Sequence, residues 1–212
     1  MGKTLIGLLA LGAVAAANAA PPRLPRMKAE ELANYLPDGG QLETRLDADV
    51  NGDGLIDVIA VGRSEDKRTV RVMLGYITQT DLGYRPVGEG QMEIDPLGSA
   101  ELQVQRGVLI VKDLTGGTSA LSSTYRYRYD PAQDRMRLIG DDVTFYSRTN
   151  SHGSLDVSTN RLTGLRIETR SEVNKRGGDA ALIPAKPVKK QVSRRPIYME
   201  QAPLPSETTG IG

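Results

Sequence analysis

Short strand-like segments dominate the chain from Gln41 to about Arg170, and they constrain its fold more than any other feature. Runs of five to eight residues alternate between apolar and polar side chains and are separated by turn residues, which is typical of half-buried strands. The longer period of an amphipathic helix does not occur in this region. We therefore predict a mainly β, antiparallel domain over residues 41–172, built as a sandwich or an open barrel-like sheet.

One of these segments, "SSTYRYRYD", alternates strictly between two residue types. Tyr125, Tyr127 and Tyr129 share one face, and Arg126 and Arg128 share the other. We interpret the tyrosines as core residues and the arginines as solvent-facing, since one face of an antiparallel sheet is normally buried. The alternative is that the tyrosines form an exposed face that binds a glycan or a protein.

Residues 1–19 have the pattern of a secretory signal peptide. A lone Lys3 precedes an apolar run from Leu5 to Ala17, and small residues follow up to Ala19. The run is short for a bilayer span, which takes about 20 residues. We expect cleavage after Ala19, export to the periplasm or the medium, and no transmembrane segment in the mature protein.

Residues 20–40 are predicted to form a proline-rich leader followed by one short helix. In "MKAEELANYLPDGG", the side chains of Leu32, Tyr35 and Leu36 share a face at helical spacing. Pro37 and the glycines that follow are expected to end the helix.

The tail, residues 173–212, is predicted to be disordered. It contains five prolines and no period that would bury a face. From Lys175 onward it carries seven Lys/Arg against three Asp/Glu, so a basic tail follows a mildly acidic body. This distribution differs from the broad basic surface of a nucleic-acid-binding protein, and we predict no nucleic-acid partner.

The stretch "DADVNGDGLIDVIAVGR", from Asp47 to Arg63, places side-chain oxygens at alternate positions with glycines between them. Calcium takes six to eight oxygen ligands, and a loop folded on itself presents one at every second residue. Counted from Asp49, oxygens occur at positions one, three, five, seven and nine. The predicted calcium ligands are the side chains of Asp49, Asn51, Asp53 and Asp57 and the carbonyl of Leu55. We expect Ile56 to point into the core and fix the loop to the sheet.

An EF-hand shares this opening, but it carries a bidentate Glu at position twelve and continues into a helix. Here position twelve is Ala60, within a β-rich apolar run. The stretch from Leu46 to Tyr76 instead resembles a single FG-GAP (VCBS) repeat, the calcium-loop hairpin of integrin-α-like propellers. The resemblance implies a loop that joins two strands over residues 46–76, with calcium ligands at the five residues named above. Because the chain has no second such loop, the resemblance does not extend to a closed propeller.

Few other residues indicate chemistry. His152 is the only histidine and the chain has no cysteine, which excludes a His-rich catalytic zinc site. We interpret His152 as a surface residue and Asp47 as part of a solvated face, with a supporting role beside the loop as the alternative for Asp47. Asp141 and Asp142 are interpreted as turn or edge charges, and a second cation site is their alternative role.

Together these features predict an exported binding or envelope-associated scaffold protein with one structural Ca²⁺, and not an enzyme. Its expected partners are one calcium ion and an envelope glycan or protein. One alternative function is ligand binding through the tyrosine face, which would require a flat tyrosine-rich surface. The other is a calcium-dependent hydrolase, which would require a concave pocket holding two carboxylates outside the calcium loop.

Overall fold

The computed structural model describes residues 23–177 and 180–210. The predicted signal peptide lies outside the described residues. The described chain is mainly antiparallel β and forms two sheets, so the predicted fold class is confirmed. The two sheets face each other as a sandwich.

The first sheet is a four-stranded meander in chain order. Its strands are β1 (Gln41–Ala48), β2 (Asp57–Arg63), β3 (Arg68–Ile77) and β4 (Leu82–Gln91). The residues of β2 and β3 are almost all buried, because the core covers one face of this sheet and an N-terminal segment covers the other.

The second sheet has eight strands, and most of them also follow chain order. They are β5 (Glu101–Gln105), β6 (Val108–Gly116), β7 (Ser119–Asp130), β8 (Arg135–Ser147), β9 (Ser154–Asn160), β10 (Leu165–Val173), β11 (Leu182–Pro184) and β12 (Val188–Gln191). Both β11 and β12 pair with β10, so the two short strands together form one edge of the sheet.

The main core lies between the two sheets. Its fully buried members include Ile59, Val61, Val72, Leu74, Leu109, Met136 and Leu138. They come from alternate positions on their strands, because a strand presents every second side chain to the same face.

A short helix, α1 (Ala29–Ala33), covers the outer face of the first sheet. Leu32 and the preceding Met27 pack with Val58 and Met73 in a second, smaller core. The predicted helix is thus confirmed, although it is shorter than the pattern indicated and ends in turns before Pro37. Within the described residues, no helix is long and apolar enough to cross a bilayer.

A buried ion triad connects the two sheets. Arg68, at the start of β3, has a fully buried side chain, and its guanidinium donates to both carboxylate oxygens of Glu43 at 2.7 Å. It also donates to both oxygens of Asp113, on β6, at 2.6 and 2.9 Å. The Ala100 N–H donates to Glu43 at 2.8 Å. Charge-assisted hydrogen bonds therefore join β1 and β3 of the first sheet to β6 of the second sheet.

Glu43 and Arg68 keep their charges although desolvation opposes ionisation of both. Burial raises the pKa of Glu43, but hydrogen bonds from Arg68 and Ala100 outweigh it and hold the pKa below its ordinary value. Burial lowers the pKa of Arg68, and the hydrogen bonds to Glu43 and Asp113 bring it above its ordinary value. Each partner stabilises the charged form of the other.

The prediction of a disordered tail is wrong for the described residues from 182 to 209. They form β11, β12, a 3-10 turn at Met199–Gln201 and the helix α2 (Pro205–Thr209). Met199 is fully buried beside Gly88 and Gly90, where a Cβ atom on either glycine would lie 3.0 Å from its side chain. The sequence has no amphipathic period here because the segment buries single anchors instead of a continuous face.

Backbone and side-chain hydrogen bonds hold the tail along the open side of the core. The Leu138 N–H donates to the carbonyl of Ile197 at 2.9 Å, and the Tyr125 hydroxyl donates to the carbonyl of Pro203 at 2.7 Å. Farther along, the Arg166 guanidinium donates to the carbonyl of Thr208 at 2.7 Å. The tail thereby closes the part of the second sheet that the shorter first sheet leaves uncovered.

Arg68→Met is expected to lower the free energy of unfolding by about 3–5 kcal/mol, because Glu43 and Asp113 would remain buried without a cation. Urea denaturation at neutral pH measures this change. Arg128→Met, at an exposed position on β7, is the matched control and should change stability by less than about 0.5 kcal/mol. Equal effects of the two substitutions would contradict a structural role for the triad.

Met199→Ala is expected to lower the free energy of unfolding by about 2–5 kcal/mol, because it removes a fully buried side chain from the core. The adjacent, exposed Glu200→Ala loses only a partly exposed ion pair with Arg135 and should cost about 1 kcal/mol or less. If both variants unfold at the wild-type urea concentration, the tail is not docked in solution.

Candidate metal centre

The oxygen-rich loop, residues 49–56, connects β1 to β2, whose ends pair at Ala48 and Asp57. Gly52 and Gly54 adopt φ angles of 82° and 85°, a region that side chains with a Cβ rarely enter. Val50 is buried in the main core and anchors the loop. The expectation for Ile56 is wrong, since its side chain is 50% exposed.

Side-chain oxygens organise the backbone of this loop. Asp49 accepts the Gly52 N–H at 2.7 Å through one oxygen and the Gly54 N–H at 2.9 Å through the other. Asn51 accepts the Asp53 N–H at 3.0 Å, and Asp53 accepts the Leu55 N–H at 2.8 Å. These bonds satisfy the backbone without exhausting the oxygens, because each carboxylate oxygen has more than one acceptor position.

Asp57, the last predicted ligand, is fully buried. Its two oxygens accept the Val50 N–H at 2.7 Å and the Gly75 N–H at 2.9 Å. It therefore ties the loop to β3. Burial raises the pKa of Asp57 to about 6; the two N–H donors oppose the shift, and the charges of Asp53 and Asp49 add to it.

The five predicted ligands lie between Asp49 and Asp57, but the three carboxylates among them do not form a metal-site cluster. No group of three His, Cys, Asp or Glu side chains with metal-site geometry occurs in the described part of the chain. Asn51 instead donates its amide N–H to Asp53 at 2.8 Å. Rotation of the Asp49, Asn51 and Asp53 side chains, which are partly or fully exposed, would be required to bring their oxygens toward Asp57.

The loop nevertheless suits a hard cation in its charge and its donor atoms. Among the ion pairs of residues 23–177 and 180–210, none involves Asp49, Asp53 or Asp57. The three carboxylates are close enough for two of them to disfavour ionisation of the third. Oxygen donors carrying uncompensated negative charge are the ligands that calcium prefers.

Asp47 faces other partners. Its carboxylate accepts hydrogen bonds from Arg26 Nε and Arg45 Nε, both at 2.6 Å. These ion pairs account for its charge, and they connect the segment before α1 to β1. Asp47 is therefore separate from the group of unpaired loop carboxylates.

The interpretation of the tyrosines as core residues is confirmed for two of the three. Tyr125 and Tyr127 are buried between the sheets, with their ring centroids 6.3 Å apart. Tyr129 is only partly buried, and its hydroxyl donates to Asp134 at 2.6 Å. The flat, exposed tyrosine face that ligand binding would require does not form, because the strand turns these side chains inward.

A cavity of about 20 Å³ lies beside these tyrosines and is lined by Glu93 and Asp113, among other residues. It has room for about one water molecule. Asp113 is paired with Arg68, and Glu93 accepts the Ser206 N–H at 3.0 Å. This cavity therefore adds no support to the hydrolase alternative.

Asp141 and Asp142 point to opposite faces of β8. Asp141 is buried and accepts two hydrogen bonds from Arg161, at 2.5 and 3.1 Å. Asp142 lies on the outer face with Arg126 and Ser158 at 2.6 Å each. They do not form a joint cation site, since consecutive residues of a strand face opposite ways.

His152 is more enclosed than the sequence indicated. Its ring stacks on Phe145 with centroids 4.9 Å apart, and its Nε2 lies 2.8 Å from Ser119 Oγ. Its Nδ1 lies 2.7 Å from the Gly153 carbonyl oxygen. The Ser119 contact was missed because 33 positions separate the two residues and only strand pairing brings them together.

Comparison of the chain with family models, with curated proteins and with solved structures finds no match.

In EDTA, the contribution of Asp57 to the free energy of unfolding should fall as the pH rises from about 4 to about 6. The folded carboxyl of Asp57 has a raised pKa, so in this window the native state binds more protons than the unfolded state, whose pKa is about 3.9. The loss should be on the order of 2 kcal/mol. Urea denaturation in EDTA at several pH values measures it.

Asp57→Asn should reduce this slope, even though it also lowers stability at every pH by placing an amide donor against a backbone N–H. The matched control is Asp66→Asn, in the exposed β2–β3 turn, which should keep the wild-type slope. If Asp57→Asn also retains the full slope, Asp57 is not the group that titrates.

Proposed function

We propose that the protein is an exported calcium-binding β-domain protein that acts as a binding or envelope-associated scaffold and not as an enzyme. One Ca²⁺ bound by the loop between β1 and β2 has a structural role. The ligands are the side chains of Asp49, Asn51, Asp53 and Asp57 and the Leu55 carbonyl.

The observation that carries this proposal is the buried carboxylate of Asp57 beside two further carboxylates, without a cation among the described ion pairs. Three like charges within nine residues repel each other, and the burial of Asp57 removes the water that would screen its own charge. A divalent cation would offset this repulsion while the backbone N–H bonds keep the loop folded. Calcium binding would also favour the ionised form of Asp57, because metal ligands bind deprotonated.

The position of the loop supports a structural role for the ion. Asp57 bonds to Gly75 on the neighbouring strand, and Val50 is part of the main core. A cation that fixes Asp57 would therefore stabilise the β1–β2–β3 meander as a whole. At a calcium concentration one hundred times the dissociation constant, the expected stabilisation is about 2.7 kcal/mol.

The export part of the proposal depends on the N-terminal sequence and on the resemblance to FG-GAP repeats. The leader pattern of residues 1–19 indicates secretion. Extracellular calcium modules bind at roughly 10⁻⁴–10⁻³ M, which suits a compartment with free calcium. A chain without cysteine gains no stability from disulfides there, so a structural ion would have a correspondingly larger effect.

Thermal melts in EDTA, in calcium and in magnesium test the proposal. The melting temperature of the wild-type protein should rise with calcium and rise less with magnesium, which demands a near-octahedral site. Asp49→Ala and Asp53→Ala should abolish the calcium-dependent rise. Because Asp49 also bonds to the loop backbone, the result to compare is the calcium-dependent shift and not the melting temperature itself.

Asp66→Ala provides a matched control, since Asp66 is an exposed turn aspartate on the same sheet that bonds to Ser64 Oγ at 3.2 Å. It should keep the full calcium-dependent shift. An undiminished shift in both Asp49→Ala and Asp53→Ala would overturn the ligand assignment. Absence of any shift in the wild-type protein would overturn the calcium site itself.

A further inference from the structure

The second sheet ends in a strongly basic edge, which we define as residues 182–195. This segment contains five Lys/Arg and no Asp/Glu, and it includes β11 and β12. Residues 183–191 are all exposed, and Arg194 and Arg195 are exposed as well. The edge lies on the other sheet from the proposed calcium loop.

Most of the cations on the basic edge have no ion-pair partner among the described residues. Lys190 pairs with Glu168 at 2.7 Å. The other four cations take part in none of the ion pairs found within the described chain; they are Lys186, Lys189, Arg194 and Arg195. These side chains are therefore free to contact an anionic partner.

Large apolar side chains are exposed at the same edge. Val188 is 53% exposed, the highest value for any large hydrophobic residue described, and Ile183 is 43% exposed. Leu165, which pairs with the last residue of β12, is 38% exposed. Lysine and proline on an edge strand also prevent pairing with other sheets, but that role does not require exposed aliphatic side chains between the lysines.

Cations interleaved with exposed aliphatic residues suit an anionic bilayer. Lysine and arginine interact with lipid phosphates while their aliphatic stems and neighbouring apolar side chains enter the interfacial region. The register of β12 supports this arrangement: Val188 and Lys190 face one side of the sheet and Lys189 faces the other. Charged residues thus flank the edge on both sides.

We infer that the basic edge docks the protein on the surface of an anionic phospholipid bilayer, with lysine and arginine on the lipid phosphates and Ile183 and Val188 in the interface. This inference deepens the envelope-associated role proposed above by naming its partner. It depends on that role only, and the calcium site could fail without affecting it.

Sedimentation with lipid vesicles tests the inference on the chain from Ala20 onward, which contains every described residue but lacks the apolar leader. In EDTA, the protein should partition onto vesicles of phosphatidylglycerol and phosphatidylcholine and not onto phosphatidylcholine alone. Replacing Lys186, Lys189, Arg194 and Arg195 by Gln should reduce the partition coefficient by about tenfold or more. Ile183→Ser with Val188→Ser should also reduce it, by about threefold or more.

The matched control replaces four exposed, unpaired cations elsewhere on the described surface, Lys28, Arg63, Arg106 and Arg128, by Gln. It changes net charge equally and should leave partitioning within about twofold of wild type. Equal losses in the two charge variants, or no binding by wild type, would overturn the inference. Circular dichroism melts confirm that each variant is folded.

Two further arms separate other outcomes. Dextran sulfate, a soluble anionic polysaccharide, is added as a competitor. If the protein binds dextran sulfate but does not sediment with vesicles, its partner is a polyanion and not a bilayer, and the inference is wrong. Asp53→Ala should bind vesicles like wild type. If calcium does not shift the melting temperature but the protein still binds vesicles, the calcium site is rejected and the basic edge remains the membrane contact.

Discussion

The Arg68 triad is the interaction on which the two-sheet arrangement most depends. Arg68 belongs to the first sheet, and its two carboxylate partners, Glu43 and Asp113, come from different sheets. Apolar contacts between the sheets are tolerant of sliding, whereas two bidentate pairs on one planar guanidinium fix both distance and angle. Because Arg68 is fully buried and the side chains of its partners are largely buried, a shift of one sheet along the other would leave an unpaired ion and would be costly. The triad thus specifies the alignment that the hydrophobic core then stabilises.

The candidate calcium loop depends on that alignment in turn. Val50 enters the core between the sheets, and Asp57 bonds across to β3, so the loop is held at both ends by the packed sandwich. The glycines supply the turns, and side-chain oxygens accept hydrogen bonds from the loop backbone. Among the ion pairs of the described residues, none involves the loop carboxylates. The proposed cation is therefore supported by the charge and donor atoms of the loop and not by its side-chain geometry.

Much of the fold could be predicted from local sequence patterns. The remaining features could not, because they depend on contacts between residues far apart in the sequence. Alternation of apolar and polar residues predicts strands, so the antiparallel domain and the inward orientation of Tyr125 and Tyr127 followed from sequence. Helical spacing likewise predicted the short helix. Side chains that meet only through strand pairing, such as Arg68 with Asp113 or Ser119 with His152, leave no local signal. Ile56 was misassigned because one position of register decides whether a residue faces the core, and the loop between β1 and β2 shifts that register. For the site, sequence identified the oxygen-bearing residues, while the burial of Asp57 required the structure.

The tail shows how a segment without amphipathic period still becomes ordered. It has too few apolar residues to form a core alone, which is the physical basis of its disordered pattern. A preformed sandwich changes this balance, because the tail needs to supply only anchors. Met199 fills the space left by two glycines of β4, and the Ile197 carbonyl accepts a hydrogen bond from Leu138 on β8. Its sequence divides accordingly. Residues 197–209 complete the core, while residues 183–195 contribute almost nothing to it and carry four cations that have no ion-pair partner among the described residues. Since packing does not require those lysines, arginines and exposed aliphatic residues, contact with an anionic surface is the stronger explanation for their composition.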